Sequence, residues 1–120
     1  MTEIAVLNAL YEPPPDGFTK AINIGENLLK QADMQKNVSL HVWLACAYGQ
    51  QYGYAKAHGA PEEELNSIKE KVLHEIAPAL SIDPGTRELF RTLWKPPPNS
   101  DDNDLASFDP DDPDLKRLLD

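Results

Sequence analysis

Eleven prolines stand in this chain of 120 residues, and their placement limits the fold more than any other feature. They gather at Pro13 to Pro15, at Pro96 to Pro98, and at Pro110 with Pro113, leaving only Pro61, Pro78 and Pro84 in between. Proline lacks a backbone donor and fixes φ, so a dense run ends a helix, whereas a single proline is tolerated in a helix's first turn. The folded body is therefore expected between Asp16 and Lys95. The chain divides into a helical domain over 1–95 and a Pro/Asp-rich tail over 96–120.

Between the breaks, apolar residues recur at helical spacing. Ile4, Leu7, Leu10 and Tyr11 suit a short helix with Thr2 as N-cap, a strand being the alternative for so short a segment. Asp16 caps the next, whose face carries Phe18, Ala21, Ile22, Gly25, Leu28 and Leu29. From Asn37 or Ser39 to about His58, one stripe holds Leu40, Trp43, Leu44, Ala47 and Tyr48. On the opposite side lie Val42, Cys46, Gly49 and Gly53, all small or apolar. A helical glycine costs about 1 kcal/mol against alanine, which a chain tolerates where another backbone must come close. An inner helix covered on two flanks is the expectation; fraying after Tyr48 is the alternative.

Pro61 opens a further helix, with Glu62, Glu63 and Glu64 at the positive end of its dipole. Leu65, Ile68, Val72, Ile76, Ala79 and Leu80 form its stripe, and Pro78 should kink or loosen the last turn. Asp83 and Pro84 start another helix, edged by Leu89, Phe90, Leu93 and Trp94. Asp112 and Pro113 start a last short one reaching Leu119. Helices in series, with short connections and no strand-like alternation, predict an all-α fold of antiparallel hairpins.

The net charge is -9, and eight of the 20 acidic residues lie in Ser100 to Asp120 beside only Lys116 and Arg117. Such a balance excludes a nucleic-acid footprint and an anionic membrane surface, both of which need clustered Lys and Arg. The run Asp101-Asp102-Asn103-Asp104 lacks the central Gly and terminal Glu of a calcium loop, so a solvated acidic linker is expected. The lone Cys46 excludes an internal disulfide and a multi-cysteine zinc site. His41, His58 and His74 share no ligand spacing, and His41 stands about 140° around its helix from Cys46, a poor partner for a nucleophilic dyad. No apolar run is long enough to cross a bilayer, and Glu3 stands where a signal peptide wants basic residues. The expectation is a cytoplasmic, non-enzymatic protein without cofactor or metal.

His41, Leu44, Ala45 and Tyr48 fall at the spacing of Trp, Leu, Gly and Tyr in the first helix of the tetratricopeptide repeat (TPR). Val72, Ile76, Ala79 and Pro84 fall at the spacing of Ala, Phe, Ala and Pro in its second. Residues 39 to 84 thus resemble one such unit, with His41 for Trp, Ala45 for Gly and both helices elongated. The resemblance implies hairpins stacked as a short right-handed superhelix, closed by an acidic tail with a short helix. It also implies a non-enzymatic interaction module that binds a protein or peptide on the face of the first helix. That face would present Ser39, Val42, Cys46, Gly49 and Gln50.

Tyr52 and Tyr54, nearer the edges of the stripe, are further candidates for contact, aromatic residues being enriched at binding hot spots. Phe90, Leu93 and Trp94 are candidates for an uncovered edge through which the chain pairs with itself. The alternative function is that of an acidic inhibitor or regulator, in which the C-terminal tail presents carboxylates to a basic partner.

Overall fold

A computed structural model of the chain describes residues 3–120. It contains six α-helices: α1 (Glu3–Leu10), α2 (Asp16–Leu29), α3 (Val38–Ala57), α4 (Glu62–Ile82), α5 (Thr86–Trp94) and α6 (Pro113–Leu119), with a 3₁₀ turn at Ala32–Met34. Neighbouring helices pack antiparallel, and no strand occurs among the described residues. The segment around Leu7 is helical; the cap expected at Thr2 lies outside the described residues. Likewise, among the described residues, no helix is long and apolar enough to cross a membrane.

Local chemistry sets the helix ends. The Asn37 side chain accepts from Leu40 N at 3.0 Å and starts α3, and Asp112 accepts from the amides of Asp114 and Leu115 and starts α6. Asp16 is the first helical residue rather than the cap, because Gly17 N already bonds Pro13 O at 3.0 Å across the proline turn. Pro61 is itself the N-cap of α4. Gly59, at φ +76°, makes the left-handed turn that releases the chain from α3. Helix α4 continues past Pro78 to Ile82. The proline leaves the carbonyl of His74 without its helical donor, but His74 is exposed and water reaches it, while buried Ile76 and Ala79 hold the final turn.

Helix α3 is the centre of the molecule, packed against α1, α2 and α4. Leu40 and Leu44 are fully buried on one side, and Val42 and Cys46 are buried on the other. At Gly25 a Cβ would run into Leu44, so α2 and α3 meet at that glycine. A Cβ on Gly49 would meet the carbonyl of Asp104, and one on Gly53 would meet Ser107. The close approach expected at these glycines is therefore real, but the neighbour is the C-terminal segment.

That segment is not the solvated linker its composition suggests. Leu105, Phe108, Leu115 and Leu119 are all buried. Leu105 N bonds Leu93 O at 3.1 Å, and the Trp94 indole donates to Asp109 O at 3.1 Å. Phe90, Leu93 and Trp94, expected as an open edge for self-association, lie beneath it. Isolated apolar pairs in an acidic run carry little periodic signal, which is why the sequence hides this packing.

Two polar ties fasten the body. His41 Nδ1 lies 2.8 Å from Glu75 Oε2 and its Nε2 lies 2.7 Å from Gln35 O, joining α3, α4 and the turn before α3. Further along α4, Lys69 Nζ holds Asp112 at 2.7 Å and Asp114 at 2.9 Å, clasping α6. Burial pulls the Lys69 ammonium down, yet its two carboxylates more than offset this and hold it above its usual range. Lys69 in turn holds Asp114 below the usual carboxylate range.

These shifts bound the clasp from both sides. A depressed carboxylate stabilises the fold above its unfolded value, and the contribution is lost as pH falls through the folded one. A raised ammonium stabilises below its unfolded value and loses this as pH rises through the folded one. Amide exchange in α6, corrected for intrinsic rates, is thus expected to stay slow from about pH 5 to 10 and to quicken at both extremes. In a Lys69→Met variant both dependences should flatten.

Candidate functional site

Along α3, on the flank that carries Val42, Cys46 and Gln50, runs a groove. Helix α1 and the turn after it form one wall. The stretch Asp101–Asp104, with Leu89 and Leu93 of α5, forms the other. The cause is local: α1 is short and ends in the proline break, so it covers only part of α3, and the C-terminal segment crosses α3 closely only at Gly49.

Gln50 divides the groove. Its Nε2 donates to Leu10 O at 3.3 Å and to Asp104 Oδ1 at 2.8 Å, bridging the two walls. On one side of the bridge a recess of about 250 Å³ is floored by Val42, Trp43 and Cys46 and edged by Leu7, Tyr11 and Leu89. On the other a wider one of about 380 Å³ reaches Gly53, Tyr54 and Ser107. Tyr11 and Leu89 at the mouth are 79% and 45% exposed, although both are large and apolar.

The electrostatics are one-sided. No Lys, Arg or His lines either half, while Asp101 and Asp104 line both and Asp102 joins them at the recess. Burial pushes the Asp104 carboxyl up, against the hydrogen bonds from Gln50 and Cys46, and the charge of Asp102 adds to it. Burial, and then Asp104, push the Cys46 thiol well up. A thiol kept protonated beside a carboxylate is a packing group, not a nucleophile. Among the described residues, no three potential metal ligands converge.

The residues singled out from sequence fall into three sets. Val42, Cys46 and Gln50 line the groove together, with Gly49 in its wider half. Leu93 reaches the groove from α5, whereas Phe90 and Trp94 stay in the core. Ser39, half-buried in the first turn of α3, is not part of it. Tyr52 stacks on Phe108 with ring centroids 4.0 Å apart, an internal contact rather than a free one.

Tyr54 stands between the groove and a separate cleft of about 410 Å³, where it packs against Phe18 and stacks on His58. Trp43, read as core, is half-buried at the groove floor. Sequence reasoning missed Leu7, Tyr11 and Leu89 as one cluster, since they come from two helices far apart in the chain. The aspartate run was visible as charge but not as a wall. No protein-family model matches the chain, and neither does any curated protein or solved structure.

Proposed function

We propose that this chain is a non-enzymatic interaction module of tetratricopeptide type, which holds a protein or peptide partner in the groove along α3. The observation that carries the reading is the groove itself. Of the face that the family uses for binding, transferred onto Ser39, Val42, Cys46, Gly49 and Gln50, all but Ser39 line the open groove, Val42, Cys46 and Gln50 in its apolar recess and Gly49 in the wider half. The antiparallel packing of α3 on α4 supports the hairpin, while their lengths of 20 and 21 residues depart from the family's unit. The alternative, an acidic regulator acting through its tail, has fewer free charges to use than the composition suggests. Asp112, Asp114, Asp111 and Asp120 pair with Lys69, Arg117, Lys116 or Arg91, and Asp104 and Asp109 accept internal hydrogen bonds.

Affinity capture from the native host, run in parallel with the wild-type chain and with Leu89→Asp, tests the reading. Leu89 is exposed, so the variant is expected to keep its helical circular dichroism. A partner retained by the first and lost by the second supports the groove. The same set of proteins on both baits, or none on either, removes it.

A further inference from the structure

Resting on that reading, we infer that the occupant of the groove is a basic segment of another protein, one that sets a large apolar side chain beside an arginine or lysine. The form of the recess argues for a side chain on a chain: at about 250 Å³ it is one end of an open groove that continues past Gln50, a shape that suits an extended segment. Its floor of Val42, Trp43 and Cys46 is mainly apolar, the Trp43 indole N–H and the Gln50 amide supplying its polar groups, and the Gln50 Nε2 is already engaged by Leu10 O and Asp104. Tyr11 and Leu89, exposed at the mouth, leave apolar surface in water that an entering leucine or phenylalanine would cover.

Charge selects the flank of that side chain. Asp101 and Asp102 form the rim, and among the described residues they are the aspartates of the C-terminal segment whose carboxylates neither meet a cation nor accept a hydrogen bond. Just inside them Asp104 is held by neutral partners only. Three carboxylates with no basic residue lining the groove attract a cation and repel an acidic segment. The apolar pit and the acidic rim adjoin, so one arginine or lysine within a helical turn of the buried side chain reaches both.

Fluorescence anisotropy with three labelled dodecapeptides reads the inference out. One alternates arginine with leucine, one alternates glutamate with leucine, and one alternates arginine with serine. The arginine–leucine peptide is expected to bind best, and its affinity to fall as salt rises. The paired variant Asp101→Asn with Asp102→Asn, at exposed positions that cap no helix, should weaken it about fivefold to tenfold. Glu62→Gln with Glu63→Gln removes the same charge from the first turn of α4, outside the groove lining, and should leave it nearly unchanged. An equal loss in both paired variants would mean diffuse attraction and overturn the inference. Equal binding of the glutamate–leucine peptide would overturn the basic chemistry while leaving the interaction module standing. Binding by none of the three would overturn the inference, and the capture experiment with Leu89→Asp then decides the module by itself.

Discussion

His41→Ala is expected to lower the unfolding free energy by about 3–5 kcal/mol, read from urea melts followed by helical circular dichroism. The substitution takes from buried Glu75 its partner at 2.8 Å, leaving Lys71 and His74 of the adjoining cleft, which form no ion pair with it, and it removes the ring from Gln35 O. Breaking a buried pair from one side leaves a charge in a medium that solvates it poorly. The double change His41→Leu with Glu75→Met should recover most of the loss, since replacing both partners by apolar groups removes the uncompensated charge. The exposed pair of Lys20 and Glu12, at 3.2 Å, is the natural contrast: Lys20→Ala should cost no more than about 1 kcal/mol. A His41→Ala variant no less stable than Lys20→Ala would show that the pair does not tie α3 to α4.

Phe108→Ala is the second large effect, at about 3–5 kcal/mol in the same melts. The ring is buried and stacked on Tyr52, and its removal opens a cavity between α3 and the C-terminal segment. Deleting residues 99–120 goes further. It removes Leu105, Phe108, Leu115 and Leu119 together and lays bare Phe90 and Trp94. At about 2–5 kcal/mol for each large buried side chain, the total matches or exceeds the ~5–15 kcal/mol that holds a whole domain. The truncated chain is expected to lose its near-ultraviolet circular dichroism and its cooperative melt. A truncated chain that still melts cooperatively would show that the helices of residues 3–95 form a core without the segment. Truncation therefore cannot separate a role for the acidic tail from a role for the fold; neutralising Asp101 and Asp102 can.

The helices were legible because their signals are local. Asn37, Asp112 and the proline breaks fix ends through bonds within a few residues, and the stripes of Leu40, Leu44, Val72 and Ile76 repeat at the helical period. The two buried flanks of α3 were legible too, from Gly49 and Gly53 opposite a large apolar stripe. What covers the glycine flank was not. Leu105 and Phe108 are two apolar residues in a run of aspartates, and nothing nearby in the chain says that they return to α3 about 55 residues away.

His41 misled for the same reason. Its partner Glu75 is 34 residues distant, so the residue standing where the repeat has Trp could be read only as a departure, not as an ion pair. The groove mixed both kinds of information. Val42, Cys46 and Gln50 followed from the helix and the family resemblance, whereas Tyr11, Leu89 and the aspartates joined them only through tertiary packing.

Gln50 fastens the end of α1 to Asp104 through one amide group, so parts of the chain 94 residues apart share a single side chain in mid-helix. A row of hairpins that touch only their neighbours can melt from one end, unit by unit. Here the first helix and the returning segment close on each other across α3, so neither peels away without loosening the other. Heat or urea should meet an all-or-none collapse with superimposable curves from every spectroscopic probe.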